Sequence, residues 1–175
     1  LATSFDSVVT ANIGGATYRA SARELLQADS SRTWLAGPLV TEWLLAAPLK
    51  TNGGQAHPHL SVRFAVRAYQ GLQRVRVDVT VENDWAFAPS PQPYTYDVTV
   101  SVGGTTVFAQ NALKHYSLSR WRKVLWWGGE PALDVRHERD VLLFNKSVPF
   151  YDPSLTIREQ DLAALWTEWT TQTDT

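Results

Sequence analysis

The sequence contains neither cysteine nor methionine among its 175 residues. Without cysteine, disulfide bonds, thiolate nucleophiles and cysteine-ligated metal sites are excluded from any account of the chain. A natural translation product begins with methionine, whereas this sequence begins with Leu1. We therefore expect the chain to be a module of a larger protein.

Charge is also scarce, because charged residues make up 19% of the chain and the formal net charge is −1. A nearly neutral protein has no bulk field to attract nucleic acid or anionic lipid. No apolar run approaches the roughly 20 residues of a membrane helix, and no secretory signal opens the chain. The partners we predict are therefore neither nucleic acid nor membrane.

Alternation of apolar and polar residues is the strongest positive pattern. It holds over residues 61–68 and again over residues 74–82, with a turn near Gln70-Gly71 between them. A period of two predicts a β-hairpin with one buried and one solvated face. Shorter hairpins are predicted around Gly14-Gly15 and Gly103-Gly104. We predict that one core contains Val62, Phe64, Val66, Val75, Val77, Val79, Val81, Val98 and Val100.

Repeated hairpins without intervening helices predict a mostly β fold, specifically an antiparallel β-sandwich of the super-sandwich type over residues 1–157. A short strand over residues 39–45 is expected to end before Pro48, because proline removes a ladder donor. Residues 84–93 contain three prolines and predict an extended loop. Apolar residues at helical spacing over residues 158–169 predict a C-terminal helix, so residues 158–175 are this helix or a junction to a further domain.

Arginines dominate the polar face of the central hairpin. Since acidic residues share that face, cross-strand ion pairing is the simplest interpretation of these charges. The residues concerned are Arg63, Arg67, Arg74, Arg76, Asp78 and Glu82.

The densest polar cluster is the segment of residues 114–123, KHYSLSRWRK. A glycan lyase needs a base that removes a proton next to a carboxylate, and a cation that neutralises that carboxylate. His115, Tyr116 and Arg120 are the candidates for these catalytic roles. Aromatic and basic residues also line contacts between domains, and we favour that interpretation of the segment.

Other chemistry has weaker support in the sequence. His57 and His59 would point the same way in an extended chain and suit two metal ligands, but no third ligand lies near, so we predict no metal site. Neither a glycine-rich phosphate loop nor a calcium-loop pattern is present, and we predict no cofactor. Carboxylate pairs for glycoside hydrolysis are conceivable at Glu82 with Asp84, Glu130 with Asp134, and Glu138 with Asp140.

Tryptophan is unusually frequent, with eight residues. A large aromatic core is the simpler explanation, and a surface that stacks on sugars or binds a partner is the alternative. Trp121, Trp126, Trp127 and Glu130 are the candidate binding residues. Because side chains alternate along a strand, we expect one of Trp126 and Trp127 in the core and the other facing outward.

Three stretches resemble a known group of proteins: VRVDVTVENDWA (75–86), HYSLSRWRKVLWWGGEP (115–131) and SVPFYDP (147–153). They are similar to the β-domain portion of long phage- and prophage-encoded proteins, in which a variant of ARW-K-WWGG-P precedes AVPNYD. Those proteins resemble exo-rhamnogalacturonan lyase-like proteins, which place β domains beside an α/α toroid. The resemblance covers roughly residues 37–153, and this chain departs from it at Ser147 and Phe150.

The resemblance implies a glycan-related or virion-associated context. The lack of an assembled catalytic set and the surplus of tryptophan favour a non-catalytic β module of a phage virion protein at the capsid or tail surface. Its expected partners are other virion subunits or neighbouring domains, with a cell-surface glycan as a further candidate. The alternative is the β domain of a polysaccharide lyase or glycoside hydrolase whose main catalytic domain lies outside this chain, in a secreted or bacterial cytoplasmic protein. A domain that only scaffolds its neighbours is the third possibility.

Overall fold

The computed structural model describes residues 5–28, 31–87 and 89–131. The predicted C-terminal helix of residues 158–175 lies outside these residues. Within them, no helix is long and apolar enough to cross a membrane. The elements in chain order are β1 (Ser7–Ile13), β2 (Ala16–Ser21), α1 (Ala22–Gln27), β3 (Ser31–Ala36), β4 (Val40–Thr51), β5 (Ala56–Tyr69), β6 (Val75–Asn83), β7 (Tyr94–Val102), β8 (Thr105–His115) and β9 (Ser119–Trp127).

The strands form one antiparallel sheet in the order β8-β7-β1-β2-β4-β5-β6-β9, and β3 pairs with β4 beside this path. The two end strands, β8 and β9, come into contact, so the sheet curls into a nearly closed barrel. A mostly antiparallel β fold is therefore confirmed, whereas the two-layer sandwich is not. Alternation cannot separate these architectures, because each leaves one face of every strand buried.

The core is the interior of this curled sheet. All nine predicted core residues are buried within it. They come from β5, β6 and β7, and inward residues of β1 and β4, such as Val9 and Leu45, join them. On β9 the fully buried residue is Trp121, which pairs with Val81 of β6. Strict alternation thus places one continuous apolar surface inside the barrel.

Strand β4 runs through Pro48, although the sequence predicts that the strand ends before it. One side of β4 is shared by two strands: β3 pairs with residues 41–45 and β2 with residues 50–51. No described strand pairs with residues 46–49 on that side, while β5 continues along the other. A missing N–H in this stretch need not remove a ladder bond, so proline is tolerated inside the strand.

Four connections lie together at one end of the barrel, which we call the loop end. They are the β1–β2 turn, the β4–β5 turn, the loop of residues 84–93 and the β8–β9 turn of residues 116–118. The antiparallel registers place them together, since Asn12 pairs with Asp97, Tyr18 with Thr51, and Asn83 with Ser119. The loop end therefore carries both histidines of the β4–β5 region and the candidate segment after β8.

Val79→Asp is expected to unfold the domain, because Val79 is fully buried in a central strand. Placing an unpaired carboxylate there costs several kcal/mol, and we expect a loss of at least about 4 kcal/mol in the free energy of unfolding. The matched control is Thr80→Asp, one residue along, which lies between Arg63 and Arg122 on the outer face. Its stability should stay within about 1 kcal/mol of wild type in urea titrations. Equal losses from both variants would contradict the assignment of faces.

Candidate functional site

His57 occupies a bulge at the start of β5. The register shifts here, since Pro48 pairs with Ser61 but Lys50 pairs with Ala56. Backbone donors in such a bulge lose their ladder partners. The His57 ring replaces them: its Nδ1 accepts the backbone N–H of His59 at 3.1 Å and that of Leu60 at 2.9 Å. The imidazole therefore acts as a local cap that fixes the shape of the bulge.

This role requires a neutral His57. Burial, and secondarily the nearby His59, lower the pKa of His57 to about 4. A ring whose Nδ1 accepts two hydrogen bonds carries its proton on Nε2, and a second proton would displace both donors. The rings of Tyr18 and Tyr94 make T-shaped contacts with the His57 ring, with centroids 5.0 Å and 4.8 Å away. His57 is thus held by hydrogen bonds and aromatic contacts in a buried position.

His59 is engaged at both ring nitrogens. Its Nδ1 bonds the Tyr94 hydroxyl, and its Nε2 lies 2.7 Å from the Pro89 carbonyl oxygen. The two histidine rings are inclined by 69° at a centroid separation of 6.2 Å, so they do not point in parallel as they would in a regular strand. The described residues contain no group of three metal-ligating side chains. Both histidines therefore have structural roles: His57 caps the bulge, and His59 connects the bulge to the loop at Pro89.

His115, a candidate catalytic base, belongs to a buried hydrogen-bond chain. The Ser119 carbonyl can only accept, so His115 Nε2 donates to it at 3.0 Å. His115 Nδ1 then accepts from the Tyr96 hydroxyl at 2.8 Å, and that oxygen accepts from Trp121 Nε1 at 2.9 Å. Burial lowers the pKa of His115 and raises the pKa of Tyr96 to about 12. Every member is neutral and partnered, as a buried polar chain requires.

The other two catalytic candidates lie elsewhere. The Tyr116 side chain is 59% exposed in the β8–β9 turn, and Arg120 is exposed on the outer face of β9. His115 is buried, so the three do not surround one substrate atom. Of the hydrolase candidates, Glu82 is buried against Arg63, and the residues after 131 lie outside the described residues.

The candidate tryptophans have different surroundings. Trp121 is in the core, where its N–H is occupied by Tyr96. Trp127 packs against the core, and Trp126 stacks on Tyr69 with centroids 5.9 Å apart. Both neighbouring indoles are half-buried. Glu130 is exposed, so a partner can reach Glu130 and the open parts of Trp126 and Trp127.

The structure exposes large apolar side chains at the loop end that the sequence analysis did not select. Trp85 is 67% exposed, Phe87 89% and Leu118 63%. With Tyr116 they form what we call the loop-tip patch. One sequence signal pointed to the exposure of Trp85 and Phe87. Both residues lie in the proline-rich segment, and prolines stiffen an exposed loop. No sequence signal distinguished Leu118.

Asn83 ties the two loops of this patch together. Its side-chain amide donates to the carbonyl of Gln92 at 2.9 Å and to that of Tyr116 at 3.1 Å. Its own carbonyl accepts from the backbone N–H of Leu118 at 2.7 Å. Asn83 is buried, so the connection is shielded from water. The two loops are therefore held to each other at Gln92, Tyr116 and Leu118.

The outer face of the barrel is charged, as the central hairpin predicts. Arg63 pairs with Glu82 at 2.8 Å and Arg67 with Glu42 at 2.6 Å. Asp78 is paired with Arg76 and also with Arg122 of β9. Cross-strand ion pairing is thus confirmed for Arg63 with Glu82, whereas Arg76 and Asp78 pair within β6. Glu42 of β4 and Arg122 of β9 add cross-strand pairs that the hairpin alone does not predict.

A scan against protein-family models and searches of curated proteins and solved structures found no match to this chain. A functional assignment therefore depends on burial, hydrogen bonding and charge in the described residues. By those criteria, the buried histidines serve the fold, while the loop-tip patch and the outer face remain available to other molecules.

The stability of the protein should fall between pH 6.5 and pH 4. The pKa of His57 is about 4 in the folded protein and 6.5 as the ordinary value, so the unfolded chain binds more protons in this window. The stabilising effect is complete above pH 6.5 and is lost as the pH falls toward 4, by roughly 3 kcal/mol. His115 contributes in the same direction.

His57→Ala tests the origin of this slope. The variant should lose about 2 kcal/mol or more at pH 7, because two backbone donors lose their acceptor. Its unfolding free energy should also decline less steeply below pH 6.5 than that of wild type. His59→Ala is the matched control and should keep most of the slope. An unchanged slope in His57→Ala, measured by urea unfolding across the pH range, would refute the assignment.

Proposed function

We propose that this chain is a non-catalytic β module of a phage virion protein, where it makes structural contacts with other virion subunits or neighbouring domains. The sequence resemblance of residues 75–86 and 115–131 supplies the virion context. The loop-tip patch is the observation that carries the contact function. It concentrates exposed aromatic and aliphatic side chains on two loops that Asn83 joins.

Leu118 supports a contact role most directly. Its backbone φ is 62°, in the left-handed region that costs an ordinary L-residue about 1 kcal/mol or more. Its side chain is exposed, so the described fold gains little from leucine at this position. Glycine would satisfy the turn at lower cost. A partner that binds this surface and buries the leucine side chain would explain why leucine occupies this strained position.

The hydrogen bonding of His115 supports a non-catalytic role. A general base must reach the proton that it removes, directly or through one water. Both ring nitrogens of His115 are occupied by Tyr96 and Ser119 inside the barrel. Tyr116 and Arg120 are exposed at the surface, whereas the His115 side chain is buried inside the barrel. A base and neutraliser set for lyase chemistry is therefore not assembled by these three residues.

The composition of the patch favours a protein partner over a glycan. Trp85 and Phe87 contact each other edge to face, with centroids 6.4 Å apart, and aromatic faces of this kind also stack on sugars. Leu118 has no such face, and its exposed aliphatic surface is best buried by another apolar surface. A protein contact uses all four side chains of the patch, whereas sugar stacking leaves the leucine unused.

Leu118→Gly should raise the free energy of unfolding by about 1 kcal/mol, because glycine relieves the left-handed strain. Leu118→Ala is the matched control: it removes the side chain but keeps the strain, so its stability should not rise. Thermal and urea unfolding of the purified chain measure both variants. If Leu118→Gly were less stable than wild type, the leucine would be a folding contact and the argument for a partner would fail.

The virion assignment predicts that the chain is present in purified phage particles from cells that encode it, detected by mass spectrometry of the particles. A Trp85→Ser/Phe87→Ser double variant should fold normally but be depleted from the particles, because it loses its apolar contact. Leu72→Ser is the matched control, since Leu72 is 58% exposed in the β5–β6 turn at the opposite end.

Two results would contradict the proposal. One is the chain's absence from purified particles that are otherwise complete. The other is release of unsaturated uronides from acidic polysaccharide by the purified chain, abolished by His115→Ala in a folded variant. Depletion of the double variant together with loss of binding to host-cell glycan would instead assign the patch to sugar stacking.

A further inference from the structure

A groove of about 540 Å³ crosses the outer face of the barrel, away from the loop-tip patch. Its described lining includes three arginines, Arg32 of β3, Arg63 of β5 and Arg122 of β9. The volume falls within the range of roughly 300–1,000 Å³ typical of small-molecule sites. The groove is thus large enough for a sugar-sized ligand.

Strand register explains why the groove exists. Ala46, Arg63, Thr80 and Arg122 form one row across β4, β5, β6 and β9. Neighbouring strands lie about 4.8 Å apart, so the small Thr80 separates two long arginines by roughly 10 Å between Cα atoms. Short side chains such as Ala46 and Thr80 form the floor, and the arginines form the walls.

In the adjacent row, Arg32 pairs with Leu44, which pairs with Ala65. Ala65 in turn pairs with Asp78 on β6. The apolar floor therefore continues through this row, with Arg32 at its outer end and the Asp78 carboxylate on the β6 side.

The arginines of the groove carry more positive charge than the neighbouring carboxylates neutralise. Three arginines of the lining face one acidic residue, Asp78, which is already shared between Arg76 and Arg122. Arg63 uses its Nε for Glu82, and its side chain remains largely exposed. Arg32 is exposed and lies over the Trp34 ring, 5.8 Å from the ring centroid. Cross-strand pairing alone does not account for this surplus.

The geometry points to a binding site for a carboxylate-bearing, sugar-sized ligand in this groove, with Arg32, Arg63 and Arg122 as its recognition residues. A guanidinium group presents paired N–H donors that match the two oxygens of a carboxylate. The apolar floor of Leu44, Ala46 and Ala65 packs against the body of the ligand. The site is independent of the proposed virion contact, which uses the loop end.

A peptide strand fits this site less well than a small ligand. Strands β5 and β6, which form the floor of the groove, are paired on both sides, so a peptide lying over the floor finds no free ladder edge there. Over this floor, recognition comes from side chains, which supply positive charge and short apolar contacts. These features match a compact ligand that carries a carboxylate.

The test is an NMR titration of the full chain with glucuronate, glucose and glucose 6-phosphate. Saturable amide shifts confined to the groove strands are expected with glucuronate and not with glucose, because glucose lacks the carboxylate. Binding should weaken with rising salt concentration. Glucose 6-phosphate distinguishes a carboxylate site from a general anion site, since phosphate offers a tetrahedral anion. Preferential binding of glucose 6-phosphate over glucuronate would overturn the carboxylate assignment.

Four variants make the assignment falsifiable. Arg32→Gln and Arg122→Gln should each weaken glucuronate binding by about tenfold, as expected for a lost charge-assisted hydrogen bond. Thr80→Asp should abolish it, because the new carboxylate occupies the space between Arg63 and Arg122.

Arg19→Gln is the charge-matched control, since Arg19 pairs with Glu24 on the β2–α1 side and does not line the groove. Its affinity should stay within about twofold of wild type, because an exposed ion pair outside the site contributes little. Each variant is checked for a wild-type unfolding transition before titration. Equal weakening by Arg19→Gln, or no saturable binding by folded wild type, would overturn the proposal.

Discussion

The burial of one face of every long strand is the constraint on which the rest of this structure depends. Val77 and Val79 can leave water only if inward side chains from other strands meet them, and the sheet achieves this by curling on itself. Curling leaves the alternate residues outside, where Arg63 and Asp78 become a charged outer face. The core and the groove are thus two consequences of the same period of two.

Much of the fold is predictable from the sequence, because alternation and glycine turns are local signals. The hairpins β1–β2, β5–β6 and β7–β8 follow from them, as does the membership of the core. The closure of the sheet does not follow, since the pairing of β9 with β6 is non-local and a sandwich would bury the same residues. The passage of β4 through Pro48 was also unpredictable, because it depends on the gap between β2 and β3.

The functional residues were harder to predict, for physical reasons. Histidine and tryptophan are typical of active sites and binding surfaces. In this structure His115 and Trp121 are both buried, and both form hydrogen bonds with the hydroxyl of Tyr96. Composition cannot show whether a polar side chain faces inward or outward at a strand end. Conversely, Leu118 looks ordinary in sequence, and its left-handed backbone and exposure emerge only from the turn geometry.

The pairing of β9 with β6 has a kinetic consequence. The ladders β1–β2, β3–β4, β4–β5, β5–β6 and β7–β8 join strands that are neighbours in sequence, whereas β1 pairs with the distant β7 and β9 returns to β6 across the β7–β8 hairpin. Loop-closure entropy delays such contacts, so the hairpins form first and β9 docks on β6 later. Until it docks, the valine-rich edge of β6 is an open template for a strand of a second molecule. Docking of β9 on β6 is therefore also the step that decides between a monomer and an intermolecular sheet at this edge.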